Sequence, residues 1–231
     1  MSGSSGCGSR NSGDDSRNAA ADFDHGMVGR FNAWFFTFFA RYINHAAGIH
    51  KAAAFDGIDT ATVVEIGAGT GANLGYLEPG SHLYAVEPNR RMHPQLKRRC
   101  RAAGVDLTIL PTGAEAIPLP DESVDEVMCS LVLCTVSDPS GAVAEAQRIL
   151  HDGGTFRFVE HVAASSGTIR SWVQRRIRRP WGFVFEGCDP HRDTVATVHD
   201  AGFSTVRVYR RRFRHSIFWP VNTAVWGIAI R

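Results

Sequence analysis

Two carboxylates bracket the stretch best suited to chemistry. In "VVEIGAGTGAN", Val63–Asn73, an apolar run carries Glu65 and then Gly67, Gly69 and Gly71 at every second position. Glycine permits positive φ and lets the backbone approach another body closely. At the carboxyl end of a first strand in an α/β protein, a nucleotide-like ligand sits in that place. A tight strand-to-helix turn with no ligand would use the same residues. The second acid, Glu87 in "LYAVEPN", falls 20 positions after Gly67 (87 − 67 = 20), where a carboxylate accepts hydrogen bonds from a ribose diol. Those features alone suit a nicotinamide dinucleotide equally well. The spacing does not: G-x-G-x-G, in place of G-x-G-x-x-G, brings the third glycine one residue early and mis-sets a pyrophosphate-binding helix start. A ligand with a sulfonium and an amino-acid tail fits better, because Glu65 can orient the turn and offset positive charge.

A sulfonium ligand would react by in-line displacement at one of its carbons, with a good leaving group already attached. Positioning in a dry site can supply up to ~7–11 kcal/mol of such a barrier. A thiol or hydroxyl acceptor must also lose a proton, to a base whose pKa lies near the working pH. His161 is the candidate base. It follows Glu160 at the end of an apolar run, and an imidazole titrates near neutrality without tuning. The competing reading is a histidine that merely holds the following loop. Cys134 in "LVLC" reads as a small polarizable wall residue. Cys188 and Asp189 open the next helix and can face the acceptor, with Asp189 equally suited to capping that helix. No cysteine or histidine spacing points to a metal.

The elements that must position these residues follow from periodicity. Strand-like runs fall at Thr62–Ile66, His82–Val86, Val105–Leu110, Val124–Cys129, Thr155–Glu160, Thr205–Tyr209 and Val225–Ile230. Helix-length segments, Met92–Ala103 and Gly141–Leu150, lie between the early ones. Such alternation predicts an α/β fold: a Rossmann-like, seven-stranded, mostly parallel sheet with helices on both faces. The last two runs are joined by a stretch rich in Arg and aromatics, with Pro220, that is no crossover helix. They read as a hairpin-like pair, so one strand is antiparallel. In "CDPHRDTVATVHDAGF" Asp189 reads as N-cap, Pro190 as the first helical residue and Gly202 as the residue past the end. Residues 163–188 read as a long functional insertion, a lid or binding loop.

At 231 residues, 44% hydrophobic and 21% charged, the chain suits one sizeable soluble domain with an appendage. A net charge of +2 argues for neither nucleic acid nor membrane. Five scattered cysteines form no disulfide framework and suit a reducing cytoplasm. Residues 1–22, rich in Gly, Ser, Asn and Asp, read as a disordered tail with no secretory signal. Residues 23–55 read as an N-terminal helical cap. The Phe-rich run Ala33–Ala40 is far shorter than the ~20 residues needed to span a membrane, so Phe31–Ile43 is expected to cover the core or a ligand. Membrane-surface contact is disfavoured. Trp172, Trp181, Phe183 and Phe185 in the insertion would join Phe35–Phe39 in roofing a pocket for a small greasy acceptor. Arg175–Arg179 and Arg210–Arg214 read as solvated faces.

"VVEIGAGTGAN", "LYAVEPN", "TGAEAIPLPDESVDEVMCSLVLCTV" and "EAQRILHDGGTFRFVEHV" together resemble, in order and spacing, the motifs of class I S-adenosylmethionine-dependent methyltransferases. The resemblance runs from Thr62 to Arg231. "LVLCTV", "VEHV" and "EGCD" resemble the methyltransferase-like seven family of thiol S-methyltransferases, and the chain is more distantly similar to quinone methyltransferases. The resemblance implies S-adenosylmethionine as cofactor and residues 56–231 as the methyltransferase domain. It also implies that Glu65, Gly67, Ala68, Gly69 and Gly71 shape the turn under the methionine moiety, with Asn73 opening the next helix. Glu87 would hold the ribose, Pro88 and Asn89 pack beside the adenosine, and Ala114 and Glu115 edge the adenine. Gly113 departs from the Asp of many relatives. Ser130, Leu131 and Val132 would lie along the cofactor near the reacting methyl. The implied reaction is methylation of a small apolar acceptor, foremost a thiol, with N- or O-methylation of a small molecule as the alternative. A nucleic-acid or protein methyltransferase is disfavoured because "CSLVLCTV" lacks the Asn of an N-P-P-Y-type tetrapeptide, and the intact acids and glycines speak against a non-enzymatic binding module.

Overall fold

The structure is a computed structural model and describes residues 42, 45–185, 187–213 and 218–231. The tail, residues 1–22, and the Phe-rich run Phe31–Phe39 lie outside the described residues. Seven strands form one sheet in the order β3-β2-β1-β4-β5-β7-β6. They are β1 (Thr62–Ile66), β2 (His82–Val86), β3 (Asp106–Leu110), β4 (Val124–Ser130), β5 (Leu150–His161), β6 (Thr205–Arg212) and β7 (Thr223–Ile230). Strands β1 to β5 pair in parallel, while β7 is antiparallel to both β5 and β6. One strand therefore runs against the rest, as the sequence predicts. The reason is local. β6 and β7 are separated only by a short link containing a 3-10 turn, Trp219–Val221, too short for a crossover helix.

Because side chains alternate along a strand, each strand feeds two cores. Val64, Val127 and Cys129 pack with Ala142, Val143 and Phe156 on one face; Val63 and Met128 pack with Phe55, Leu83 and Leu96 on the other. The first face is covered by α3 (Pro139–Ile149) and α5 (Thr194–His199), the second by α1 (residues 45–55) and α2 (His93–Ala103). Helix α3 starts where Asp138 accepts the amides of Ser140 and Gly141, with Pro139 at the first position.

Two local expectations are corrected. Residues 163–188 are not a loop: most of the stretch is a 16-residue helix, α4 (Ile169–Val184), capped by Thr168, whose hydroxyl accepts the Ser171 amide. Gln174 anchors it, accepting from the Ala164 amide and donating to the Val162 and Pro220 carbonyls. The N-cap of α5 is Asp193, which accepts the Ala196 amide, and not Asp189. Asp189 instead accepts the His191 amide and pairs with Arg178 at 2.7 Å. The helix ends at His199, and Gly202 turns the chain beyond it with φ +84°.

Gly227, in the middle of β7, sits where a side chain has no room. An added Cβ would lie 2.6 Å from Phe158 Cζ and 2.7 Å from the Arg207 carbonyl oxygen. Gly227→Ala is expected to lose roughly 1–3 kcal/mol through overpacking, seen as a drop of several degrees in the unfolding midpoint. Gly75→Ala, which meets nothing within 4 Å, should leave the midpoint nearly unchanged. Equal midpoints for the two variants would refute this account of β7.

Candidate active site

The carboxyl ends of β1, β2 and β4 open into a cleft of about 480 Å³. Its floor is the glycine turn. Gly67 and Gly69 have φ of +68° and +55°, and a Cβ on Gly67 would strike the Val132 side chain. Glu87 braces the turn: Oε2 accepts the Gly69 amide at 2.8 Å and Oε1 the Asn89 amide at 2.7 Å. Gly67, Ala68 and Gly69 line the cleft together with Glu65, Asn73 and Glu87. Pro88, Asn89, Ala114 and Glu115 form one wall; Ser130, Leu131 and Val132 form another. Gly71 alone among the expected residues stands behind the surface. Its φ of +81° turns the chain, and a Cβ there would press on Leu74 and Leu96. Asn73 opens a single 3-10 turn, Leu74–Tyr76, where a longer helix was expected. Glu115 uses Oε1 to tie down Ser137 and the Asp138 amide.

One participant carries no sequence signal. Lys51 of α1 is buried in the cleft wall and donates to Asn73 Oδ1 at 2.8 Å, while Asn73 Nδ2 donates to Glu65 Oε1 at 2.7 Å. Burial pushes the Glu65 carboxyl up to about 7, against the Asn73 hydrogen bond and the Lys51 charge. Burial likewise brings Lys51 down to about 8, with Glu65 opposing. Glu87 is raised by burial, although its two backbone amides and His93 favour the anion.

S-adenosylmethionine passes the fit test that these residues set. Glu65 Oε2 and Ser130 Oγ are buried in the cleft with no hydrogen-bond partner among the described residues. A buried carboxylate oxygen without a donor calls for a cationic or hydrogen-bonding ligand. Glu87, with two lone-pair sites still open, suits a diol.

A second, smaller cavity of about 120 Å³ adjoins the first, sharing Leu131, Thr135 and Phe185 as walls. Tyr42, Ala46, Trp181, Phe213 and Phe218 make it apolar. Leu131 stands at the junction in the left-handed region, φ +59°. It is held there because Glu160 Oε1 accepts the amides of both Val132 and Leu133 (2.8 and 2.9 Å), while its own amide bonds the Val159 carbonyl. His161, at the end of β5, faces this cavity with Cys134 and Cys188. His161 Nε2 lies 3.1 Å from Cys188 Sγ, and the Trp181 indole donates to the same sulfur at 3.3 Å. Burial lowers the His161 pKa, yet Cys188, Glu160 and Asp189 outweigh it and the net direction is up. The Cys134 hydrogen bond, then the His161 charge, hold Cys188 well below the usual thiol range despite its burial. His161 and Cys188 thus form a close imidazole–thiol pair whose shifts favour proton transfer from sulfur to the ring, and its sequence separation of 27 residues hid it.

Residues 64–158 match the methyltransferase domain family. Thiol S-methyltransferase TMT1B of Homo sapiens is 30% identical over 173 residues, covering 73% of this chain and 70% of that protein. The Mus musculus TMT1B is 34% identical over 174 residues, with the same coverage. Thiol S-methyltransferase TMT1A of Homo sapiens is 29% identical over 174 residues, 74% of this chain and 70% of that one. Among solved structures, a Thermotoga maritima SAM-dependent methyltransferase, a possible histamine N-methyltransferase, superposes with a TM-score of 0.62 at 21% identity, covering 88% of this chain and 99% of that one. A geranyl diphosphate methyltransferase in complex with GPP and sinefungin gives 0.59 at 17% identity, over 80% and 78%. At such identities these two structures speak for the fold alone.

The cleft sets a pH dependence for cofactor binding. An ammonium group resting on Glu65 would prefer its ionised form, and burial pushes that carboxyl up to about 7. Affinity should therefore fall as pH drops through 7, by about tenfold or more between pH 7.5 and 5.5, since each unit below the pKa removes about tenfold of the carboxylate. Calorimetry reads this directly. Glu65→Gln should bind more weakly and show a flat profile; a flat wild-type profile would mean that no cation rests on Glu65.

Proposed function

The chain belongs to the family of S-adenosylmethionine-dependent methyltransferases that contains the thiol S-methyltransferases TMT1A and TMT1B, and from that premise we propose that it methylates the sulfur of a small apolar thiol. The single observation that carries the choice of acceptor is the 3.1 Å contact of His161 with Cys188 at the floor of an apolar cavity that shares walls with the cofactor cleft. A cavity of about 120 Å³ takes an acceptor of roughly the bulk of benzene.

The cofactor supplies an electrophilic methyl on a sulfonium. Glu65 and Lys51, linked through Asn73, set the charge around its amino-acid end; Glu87 holds its ribose; Ala114 and Glu115 flank its base. Pro88 and Asn89 pack beside the nucleoside, and Ser130, Leu131 and Val132 line its path to the acceptor. Leu131 and Phe185, common to both cavities, keep the line of transfer apolar and dry. The acceptor S–H gives its proton to Cys188 Sγ, and His161 Nε2–H then stays beside the new thiolate. Both sulfurs share one imidazolium in turn, which limits the cost of the exchange. His161 thus works with Cys188, and not as an isolated base.

Residues 23–55 are read here as a cap for this cavity, and of their described members Tyr42 and Ala46 line it. Among the described residues no helix is long and apolar enough to cross a membrane. Buried free cysteines support a reducing, cytoplasmic setting. Nucleic acid is not a partner in this reading.

A free thiol of pKa ~8.5 is only about 3% ionised at pH 7, so complete ionisation gains at most about 30-fold. His161→Ala should lower kcat/KM on the best thiol by about 10–30-fold at pH 7 and by little at pH 9. Wild type should be nearly flat across this range while the variant rises with thiol ionisation. Parallel profiles would remove His161 from proton handling. A panel of thiols, amines and phenols, read by product mass, decides the acceptor: methylation of an amine or phenol with no thiol methylated would overturn S-methylation.

A further inference from the structure

Proton handling explains a base at the cavity floor but not a second sulfur beside it. Cys134 Sγ lies 3.8 Å from Cys188 Sγ, and the backbones are pinned side by side by the Asp189 amide, which donates to the Cys134 carbonyl at 2.8 Å. The Trp181 indole donates to Cys188 Sγ, and the contact between the two sulfurs raises the pKa of the Cys134 thiol while it lowers that of Cys188, which favours the shared proton on Cys134. The charged groups that face the pair are His161 and Glu160 from β5, Asp189 with its Arg178 partner, and Arg192, which is bonded to the Leu133 and Val136 carbonyls. Ligand atoms of Cys134, His161 and Cys188 all lie within 4.8 Å of one another, a spread that a metal could also use. The 3.1 Å imidazole–sulfur contact is a hydrogen-bond length, shorter than the about 3.5 Å between nitrogen and sulfur ligands on one tetrahedral zinc, while the 3.8 Å sulfur pair suits either.

We propose that Cys188 and Cys134 form a thiol–disulfide exchange site that takes small apolar disulfides, with Cys188 attacking and Cys134 resolving. Only the choice of a small apolar disulfide rests on the reading of this cavity as the acceptor's. Cys188 Sγ attacks one sulfur of the disulfide, forming a mixed disulfide and expelling the other half as a thiolate, which takes the proton of His161. Neutral His161 then accepts the proton of Cys134, whose thiolate attacks Cys188 Sγ and expels the second half. The small disulfide is reduced to two thiols, and the two protein thiols are oxidised to one disulfide. Forming the bond closes the sulfur gap from 3.8 Å to about 2.05 Å. An excess of small thiol reverses both steps. The acceptor cavity therefore loses its thiolate when the acceptor class is oxidised, and regains it when reduced thiol returns.

The test uses the full chain, no methyl donor, and 4,4′-dithiodipyridine as the disulfide, with peptide mapping to separate the pair from Cys7, Cys100 and Cys129. Wild type should release two pyridinethiones per chain from the pair and finish with a Cys134–Cys188 cross-link. Cys134→Ser should release one and hold the adduct on Cys188. His161→Ala should slow the attack at pH 6 by at least about tenfold and much less at pH 9, because the thiol returns toward its ordinary pKa of ~8.5. Mapping on wild type alone suffices if a variant fails to fold: Cys188 must outpace buried Cys100 and Cys129. Equal rates for these three, two equivalents from Cys134→Ser, or one bound zinc that protects Cys188 would each overturn the proposal. Thiol methylation by the reduced protein is a separate assay, so either reading can fail with the other intact.

Discussion

Buried carboxylates at the carboxyl edge of the sheet hold the rest of the site in place. Glu65 near the end of β1, Glu87 just past β2 and Glu160 near the end of β5 each lie in the protein interior, and burial raises the pKa of all three. Parallel strands leave loops whose amides have no strand partner, and a buried amide without an acceptor costs about 1–3 kcal/mol. Glu87 takes up Gly69 and Asn89, and Glu160 takes up Val132 and Leu133. Glu65 reaches across to Asn73 and through it to Lys51 of α1. Each carboxylate converts an otherwise floppy loop into a fixed wall, and the two cavities are bounded by those walls.

The same arrangement explains why the cavities differ in character. In the cofactor cleft, acids remain partly unsatisfied, and Glu65 Oε2 has no donor of its own. A cationic ligand relieves that cost on binding, so binding energy is drawn from strain already present in the protein. In the acceptor cavity the charges are matched. Cys188 and His161 neutralise each other at 3.1 Å among aromatic walls, so the cavity can admit an apolar molecule without desolvating a net charge.

Much of this was legible in the sequence because it is local. The glycine spacing, Glu65 and Glu87 sit within one strand–turn–strand stretch, and the strand runs were apparent from apolar, β-branched composition. The single antiparallel strand followed from a connection too rich in Arg, aromatics and proline to form a crossover helix. What was not legible depends on distant partners. Lys51 reads as an ordinary solvated lysine, since nothing near it in the chain reveals that Asn73 and Glu65 lie 22 and 14 positions away (73 − 51 = 22, 65 − 51 = 14) across a buried gap. Asp189 and Asp193 both fit an N-cap pattern; a pairing with Arg178, 11 positions back, decides between them. Glu160 looked like a mere neighbour of His161, although its bonds to Val132 and Leu133 impose the positive φ of Leu131.

The charge state of the acceptor finally links the two cavities. A thiolate carried alone into an apolar cavity would meet a desolvation cost of several kcal/mol. With the imidazolium already there, the anion changes sulfur without the net charge of the cavity changing. An amine acceptor would gain nothing from such a device: it attacks as the neutral base, and an adjacent imidazolium would repel the cation that forms. A phenol, with a pKa near 10, would exchange its proton with Cys188 far less readily than a second thiol does. In the proposed reading, a thiolate beside an imidazolium would favour sulfur over nitrogen and oxygen as the acceptor atom. Leu131 sets where that sulfur must stand, because its strained backbone forms the rim common to both cavities and Glu160 fixes it from behind.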